Sequence, residues 1–217
     1  MTGPIHHVPG PMLAAFAARA LPYPFAMLVA AHVSLCDDCR AALEAHGALG
    51  GLVLDALPPA ALSAGARSRA LARARDGLSR APAAASPVAG EGVRDWPAPV
   101  DGLIGPGGPR WRSLGFGAKQ AILWSGAAGS LRLLSIPPAQ AVPEHGHRGL
   151  ELTLVLSGAF TDETGTFAAG DLEVADEALG HTPQTIGDTP CLCLAATDAP
   201  LRFRALVPRL LQPLFRI

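Results

Sequence analysis

Lysine is nearly missing from this chain of 217 residues: Lys119 stands alone beside sixteen arginines. Charged residues make up 16% of the sequence and the formal net charge is -1, which excludes the strongly basic surface that general nucleic-acid binding or an acidic membrane requires. Aromatics are scarce too, with one Tyr, three Trp and seven Phe, and they form no interleaved basic and aromatic platform for stacking bases. No run reaches the ~18 apolar residues of a membrane-spanning helix. The nearest approach, residues 12–36, is interrupted by Arg19, Pro22, Pro24 and His32. No basic segment precedes an apolar stretch at the start, so a secretory leader is not expected and the cytoplasm is the expected compartment. Thiols stay reduced there, so the four cysteines point to metal or redox chemistry in preference to a disulfide framework. A Gly-rich phosphate loop between strand and helix is also lacking, since the glycines of 105–108 lie in a Pro-rich stretch.

What is plentiful is Ala, Gly (24) and Pro (21), the mark of a GC-rich genome. Hydrophobic residues reach 49%, ample for a core. The pattern changes near residue 80. Before it the spacing is helical: Pro11 to Leu21, Pro24 to Leu35, then Asp37 to Ala48 as a continuation or a third helix stopped by Gly50 and Gly51, and a last helix near residues 65–78. Residues 81–108 have linker composition, although Trp96, Leu103 and Ile104 could dock on a neighbouring domain. Beyond them short β-type runs alternate with Gly and Pro turns. The expected organisation is multidomain, α then β: a helical domain over 1–80, a linker over 81–108 and a β-barrel domain over 109–217. Charge divides with it, since residues 1–81 carry seven basic and five acidic residues (+2) and residues 82–217 carry ten and thirteen (-3).

Within the helical part, His32, Cys36 and Cys39 have the spacing of ligands. On one continuous helix they leave within about 60° of each other. If the helix breaks at Asp37, the two cysteines keep the two-residue gap common in zinc sites. One tetrahedral position is then open, and His6 or His7 is the nearest source of a fourth ligand. Two buried free thiols beside a half-exposed histidine are the bland alternative.

This spacing resembles the signature of zinc-binding anti-sigma factors, helical domains that sequester an extracytoplasmic-function sigma factor. In its ChrR-type branch the resemblance implies His7, the second of the tandem pair, as the fourth zinc ligand.

In the β part, His145-Gly-His147 is followed by Glu151 and, after a further strand, by His181. Period-2 counting places Glu151 on the face of the two histidines. Three imidazoles and a carboxylate suit Zn2+, Fe(II), Mn or Ni. The pattern is similar to the cupin superfamily, whose barrel carries HxH and Glu in one motif and His in a second, and it implies His145, His147, Glu151 and His181 as ligands of Zn2+ or another divalent metal. The chain departs from it at Ala139, where the first motif usually has Gly, at Asp176 and Ala178, and at Thr185, where Asn is usual. Cys191 and Cys193 alternate with leucines on one strand face, as small core residues or as an oxidisable pair near the barrel metal. Direct pairing of positions i and i+2 on a strand is geometrically poor.

Zinc motif, linker and cupin-like domain in this order resemble ChrR-type anti-sigma factors along nearly the whole chain: a small zinc-containing helical bundle followed by a cupin-type antiparallel barrel. The resemblance implies a non-enzymatic cytoplasmic regulator that sequesters a sigma factor and releases it on oxidative stress of the singlet-oxygen type, with the barrel as sensor. Direct nucleic-acid binding and membrane insertion are not expected. The alternative is a cupin metalloenzyme, dioxygenase-like, with an accessory helical domain. The apolar ending, residues 210–217, is expected to pack on the barrel.

Overall fold

A computed structural model describes residues 3–80 and 96–203; the apolar ending and the first half of the linker lie outside them. Helix α1 (Gly10–Ala17) and helix α2 (Tyr23–Leu35) each carry a proline in the first turn, where its missing N–H and fixed φ do no harm. Cys36 is extended (φ -117°, ψ 112°), so α2 stops there and α3 (Asp37–Asp55) starts at the next residue. Asp37 and Asp38 favour that start, because carboxylates stabilise the positive end of a helix.

Gly50 and Gly51 do not stop α3 as the sequence suggested. Neither takes the left-handed conformation of a helix-ending glycine, and α3 runs through both. Each costs about 1 kcal/mol relative to alanine, and the strong helix formers around them offset it. Helix α4 spans Ala66–Arg80, and α5 (Ala98–Ile104) lies within the stretch of linker composition. Pro97 sits at the N-cap of α5, and Val100 is fully buried.

Among the described residues twelve strands follow: β1 Arg112–Gly115, β2 Ala118–Gly126, β3 Gly129–Ile136, β4 His145–Gly146, β5 Glu151–Ser157, β6 Ala159–Thr161, β7 Thr166–Ala168, β8 Leu172–Ala175, β9 Gly180–His181, β10 Gln184–Ile186, β11 Cys191–Thr197 and β12 Arg202–Phe203. The large antiparallel sheet has the order β1-β2-β3-β11-β5-β8, and two small sheets, β10-β6-β7 and β12-β4-β9, complete the barrel. Gly158, at φ +76°, divides β5 from β6. A Cβ there would meet the Pro190 carbonyl oxygen at 2.7 Å, so only glycine permits the close approach of β11.

The chain divides into two compact units, Met1–Gly47 with Trp96–Ile217, and Ala48–Asp95. In the first, helix α2 packs on β3, β5 and β11. Phe25, Leu28 and Val29 of the helix share one core with Leu131, Leu133, Leu152, Leu154 and Leu194 of the sheet. The alternate positions of the same strands, Ser130 and Arg132, Glu151 and Thr153, Cys191 and Cys193, line the barrel interior. Both faces are therefore covered, which is why these strands read as nearly continuous apolar runs instead of strict alternations. Leu28 is fully buried at this junction. Leu28→Ala is expected to destabilise the whole unit by about 2–5 kcal/mol, read as one cooperative shift by helix and barrel probes in chemical denaturation. Two separate transitions, with the barrel unchanged, would contradict a shared core.

Candidate metal centres

The helix break at Cys36 builds the first centre. His32 leaves the last turn of α2, Cys36 sits at the break and Cys39 in the first turn of α3. The tail brings in His7, with Nδ1 3.3 Å from Cys36 Sγ and 3.7 Å from Cys39 Sγ. All four donor atoms lie within 4.8 Å of one another. His6, its neighbour, turns instead toward the barrel, its ring 4.5 Å from that of Phe167 and tilted by 40°.

His32 is fully buried, and neither ring nitrogen has a partner at hydrogen-bond geometry. Burial, then the neighbouring His7, lowers its pKa to about 4, so the ring is neutral and ready to donate a lone pair. Burial also raises the Cys39 thiol, to which a cation would restore the thiolate. A polar side chain orphaned in the core beside two thiols fits a thiophilic tetrahedral ion such as Zn2+.

The second centre lies inside the barrel. Strands β4 and β9 pair His145 directly with His181. His181 Nε2 stands 3.1 Å from His145 Nε2 and 3.2 Å from His147 Nε2. The opposite nitrogens are held from outside. His145 Nδ1 donates to the Pro143 carbonyl at 2.9 Å, His147 Nδ1 lies 3.6 Å from a Glu151 carboxylate oxygen, and His181 Nδ1 lies 2.7 Å from Asp162 and 3.1 Å from Glu173. The hydrogen bonds at His145 Nδ1 and His181 Nδ1 orient those rings so that their Nε2 atoms meet that of His147.

Glu151 thus stands beside the three-imidazole cluster, against the back of His147. The strand is interrupted between Gly146 and Glu151, and Glu151 lines the same cavity as His145 and His181. Asp162 and Glu173 were not expected. The alternation Leu172-Glu173-Val174 in a short strand was the one signal that could have found Glu173; Asp162 leaves none.

Burial lowers His145 and His147 to about 4 and raises Glu173 to about 7 and Glu151 above its usual range. His181 goes the other way, up to about 9, because Glu173 and Asp162 outweigh its burial. Asp162 is held well below the usual carboxylate range: against burial, it accepts hydrogen bonds from Glu173, Thr164 and His181. Three buried imidazoles with crowded Nε2 atoms and carboxylate support fit a divalent ion.

A cavity of about 650 Å3 opens beside these histidines, walled by Leu134, Ile136 and Phe160 with His145, His181 and Cys193. Arg132, buried in the same wall, donates to Gln120 at 3.1 Å and Ser130 at 2.7 Å and feels the Glu151 charge. Cys191 and Cys193 are buried free thiols with sulfurs 3.5 Å apart. The Cys191 hydrogen bond and burial push Cys193 well above the ordinary thiol range.

Two departures from the cupin pattern find their explanation. Ala139 adopts φ +54°, keeping the left-handed backbone that glycine usually supplies. Thr185 Oγ1 donates to the Pro137 carbonyl at 2.6 Å and accepts the Gln140 N–H at 2.9 Å, bridging the turn where asparagine is usual.

Residues 103–199 match the family model of the ChrR cupin-like domain. Anti-sigma-E factor ChrR of Cereibacter sphaeroides is 50% identical to the chain over 216 residues, spanning 98% of each protein. The chain belongs to the ChrR family of anti-sigma factors. A chain in the crystal structure of Rhodobacter sphaeroides SigE in complex with the anti-sigma ChrR is 48% identical, with a TM-score of 0.72, over 89% of this chain and 98% of that one. As a member of the ChrR family the chain is an anti-sigma factor, and none of its described helices is long and apolar enough to cross a membrane.

Proposed function

We propose that the chain sequesters an extracytoplasmic-function sigma factor and releases it under oxidative stress of the singlet-oxygen type. One observation carries the first half: identity of 50% along nearly the full length to a protein named anti-sigma-E factor. Residues 1–80 bind, 81–108 connect, and the barrel of 109–217 senses. Within Ala48–Asp95, Leu49, Leu52, Leu54, Leu57 and Leu62 are between 60% and 80% exposed. A patch of that kind marks a docking surface, and it suits the apolar faces of sigma-factor helices. By contrast, α1 commits Leu13 and part of Met12 and Phe16 to the core.

His7, His32, Cys36 and Cys39 would hold Zn2+, and His145, His147 and His181, with Glu151 beside them, would hold Zn2+ or another divalent ion. The first ion supplies cross-linking of the tail to the helices and the second a Lewis-acidic centre in the cavity wall. A cytoplasmic location goes with this reading, since that is where a sigma factor would be bound and where thiols stay reduced. Co-expression with the sigma factor encoded beside it, followed by metal analysis, is expected to yield a stoichiometric zinc-bearing complex that does not transcribe. Separate elution of the two proteins would refute the proposal.

The cavity next to three imidazoles favours a second reading, a dioxygenase-like barrel. It requires turnover of a small substrate by the Fe(II)-loaded protein.

A further inference from the structure

The segment that presents His7 is held by the barrel. Asp171, 3% exposed at the start of β8, receives two backbone donors on one oxygen: Ile5 N–H at 2.7 Å and His6 N–H at 2.9 Å. Its other oxygen accepts Ala168 N–H at 2.9 Å, which locks the carboxylate in the β7–β8 turn. The His6 carbonyl accepts Leu172 N–H at 3.2 Å, so the tail runs alongside the first residue of β8. The His6 ring lies 4.5 Å from that of Phe167 on β7, centre to centre. Pro4 covers Gly170, whose φ is +95°; a Cβ there would come within 2.7 Å of the proline ring. One barrel turn, residues 168–171, therefore holds the tail just before His7.

We infer that Asp171 is a positioning residue for the helical metal centre: through it the barrel holds residues 5 and 6 so that His7 closes the set of His32, Cys36 and Cys39. The inference rests on the reading that this set holds an ion. Tethering the tail lowers the entropy lost when His7 binds, so ion retention depends on the barrel. Two residues further along β8, Glu173 bonds His181 of the barrel centre. Asp171 ends the turn that leads into β8 and Glu173 lies within that strand, so residues next to the two centres are neighbours along the chain. Whatever shifts the Asp171 carboxylate changes the hold on the tail.

The test uses the full chain loaded with Zn2+ and follows transfer of zinc to a chromophoric chelator. Cys39→Ser identifies the phase from the helical centre, and His145→Ala the phase from the barrel. Asp171→Ala and Ile5→Pro are each expected to speed the helical phase by about tenfold or more and to leave the barrel phase unchanged. The double variant is expected to be no faster than Asp171→Ala alone, because the proline deletes a donor whose acceptor has already gone. Wild-type release rates in both variants, or additive effects, would overturn the inference. If Asp171→Ala disturbs the barrel fold, Ile5→Pro decides, since the Ile5 side chain is 71% exposed and the substitution deletes its N–H while leaving the Asp171 carboxylate in place. Equal zinc content in wild type and Cys39→Ser would instead overturn the metal reading on which the inference stands.

Discussion

A chain carrying Cys39→Ser is expected to lose its zinc from the helical centre and to bind the sigma factor at least about a hundredfold more weakly, about 2.7 kcal/mol. Cys39 is buried in the first turn of α3, its N–H directed at Cys36 Sγ at 3.5 Å. A serine hydroxyl keeps the shape and loses the thiolate, leaving three donors and an orphaned His32 in the core. Because the tail meets α2 and α3 at this cluster, ion binding free energy there is folding free energy for the helical part. Val8, Cys36 and Cys39 belong to the same apolar cluster as α2 and the sheet, so the loss would loosen the surroundings of both α2 and α3. Zinc content and a binding titration against purified sigma factor check the result together. A metal-free variant that binds at full strength would show that the ion is dispensable for inhibition.

His145→Ala is expected to separate binding from response. The substitution removes one of three converging imidazoles inside the barrel, so the barrel ion should be lost or bound at least about tenfold more weakly. The helical centre contains none of the residues involved, and sigma binding should stay within about twofold of wild type, a change smaller than 0.5 kcal/mol. Transcription from a sigma-dependent reporter is then expected to remain at its uninduced level when singlet oxygen is generated. Normal induction in this variant would remove the barrel centre from sensing. Lost repression would show that the barrel is needed for binding itself.

Much of the chemistry was legible because ligand spacing is a local property. His32, Cys36 and Cys39 could be grouped from their intervals, and the structure brings His7 to them and His6 away from them. The β-type runs around 120–124, 130–136 and 191–196 fall in β2, β3 and β11 because length and flanking turns define such strands. Less legible were features that depend on a partner far along the chain. Helix α5 forms in a Pro- and Gly-rich stretch because Val100 has a core to enter, and α3 continues through two glycines whose isolated signal is to stop. Asp162 and Glu173 meet His181 only when the barrel closes.

The sequence by itself determined the two sets of potential ligand residue types, their order along the chain and the change from helical to β-type spacing across residues 81–108, all consequences of periodicity and interval. Only the tertiary structure decided that α2 and the barrel sheet share one core, that Glu151 stands behind His147, and that Asp171 holds the tail beside His7. For the shared core and for the hold of Asp171 on the tail the physical reason is the same. A strand shows which residues share a face, but what that face meets is settled by burial against elements more than a hundred residues away, as with Ile5 and Asp171 at a separation of 166.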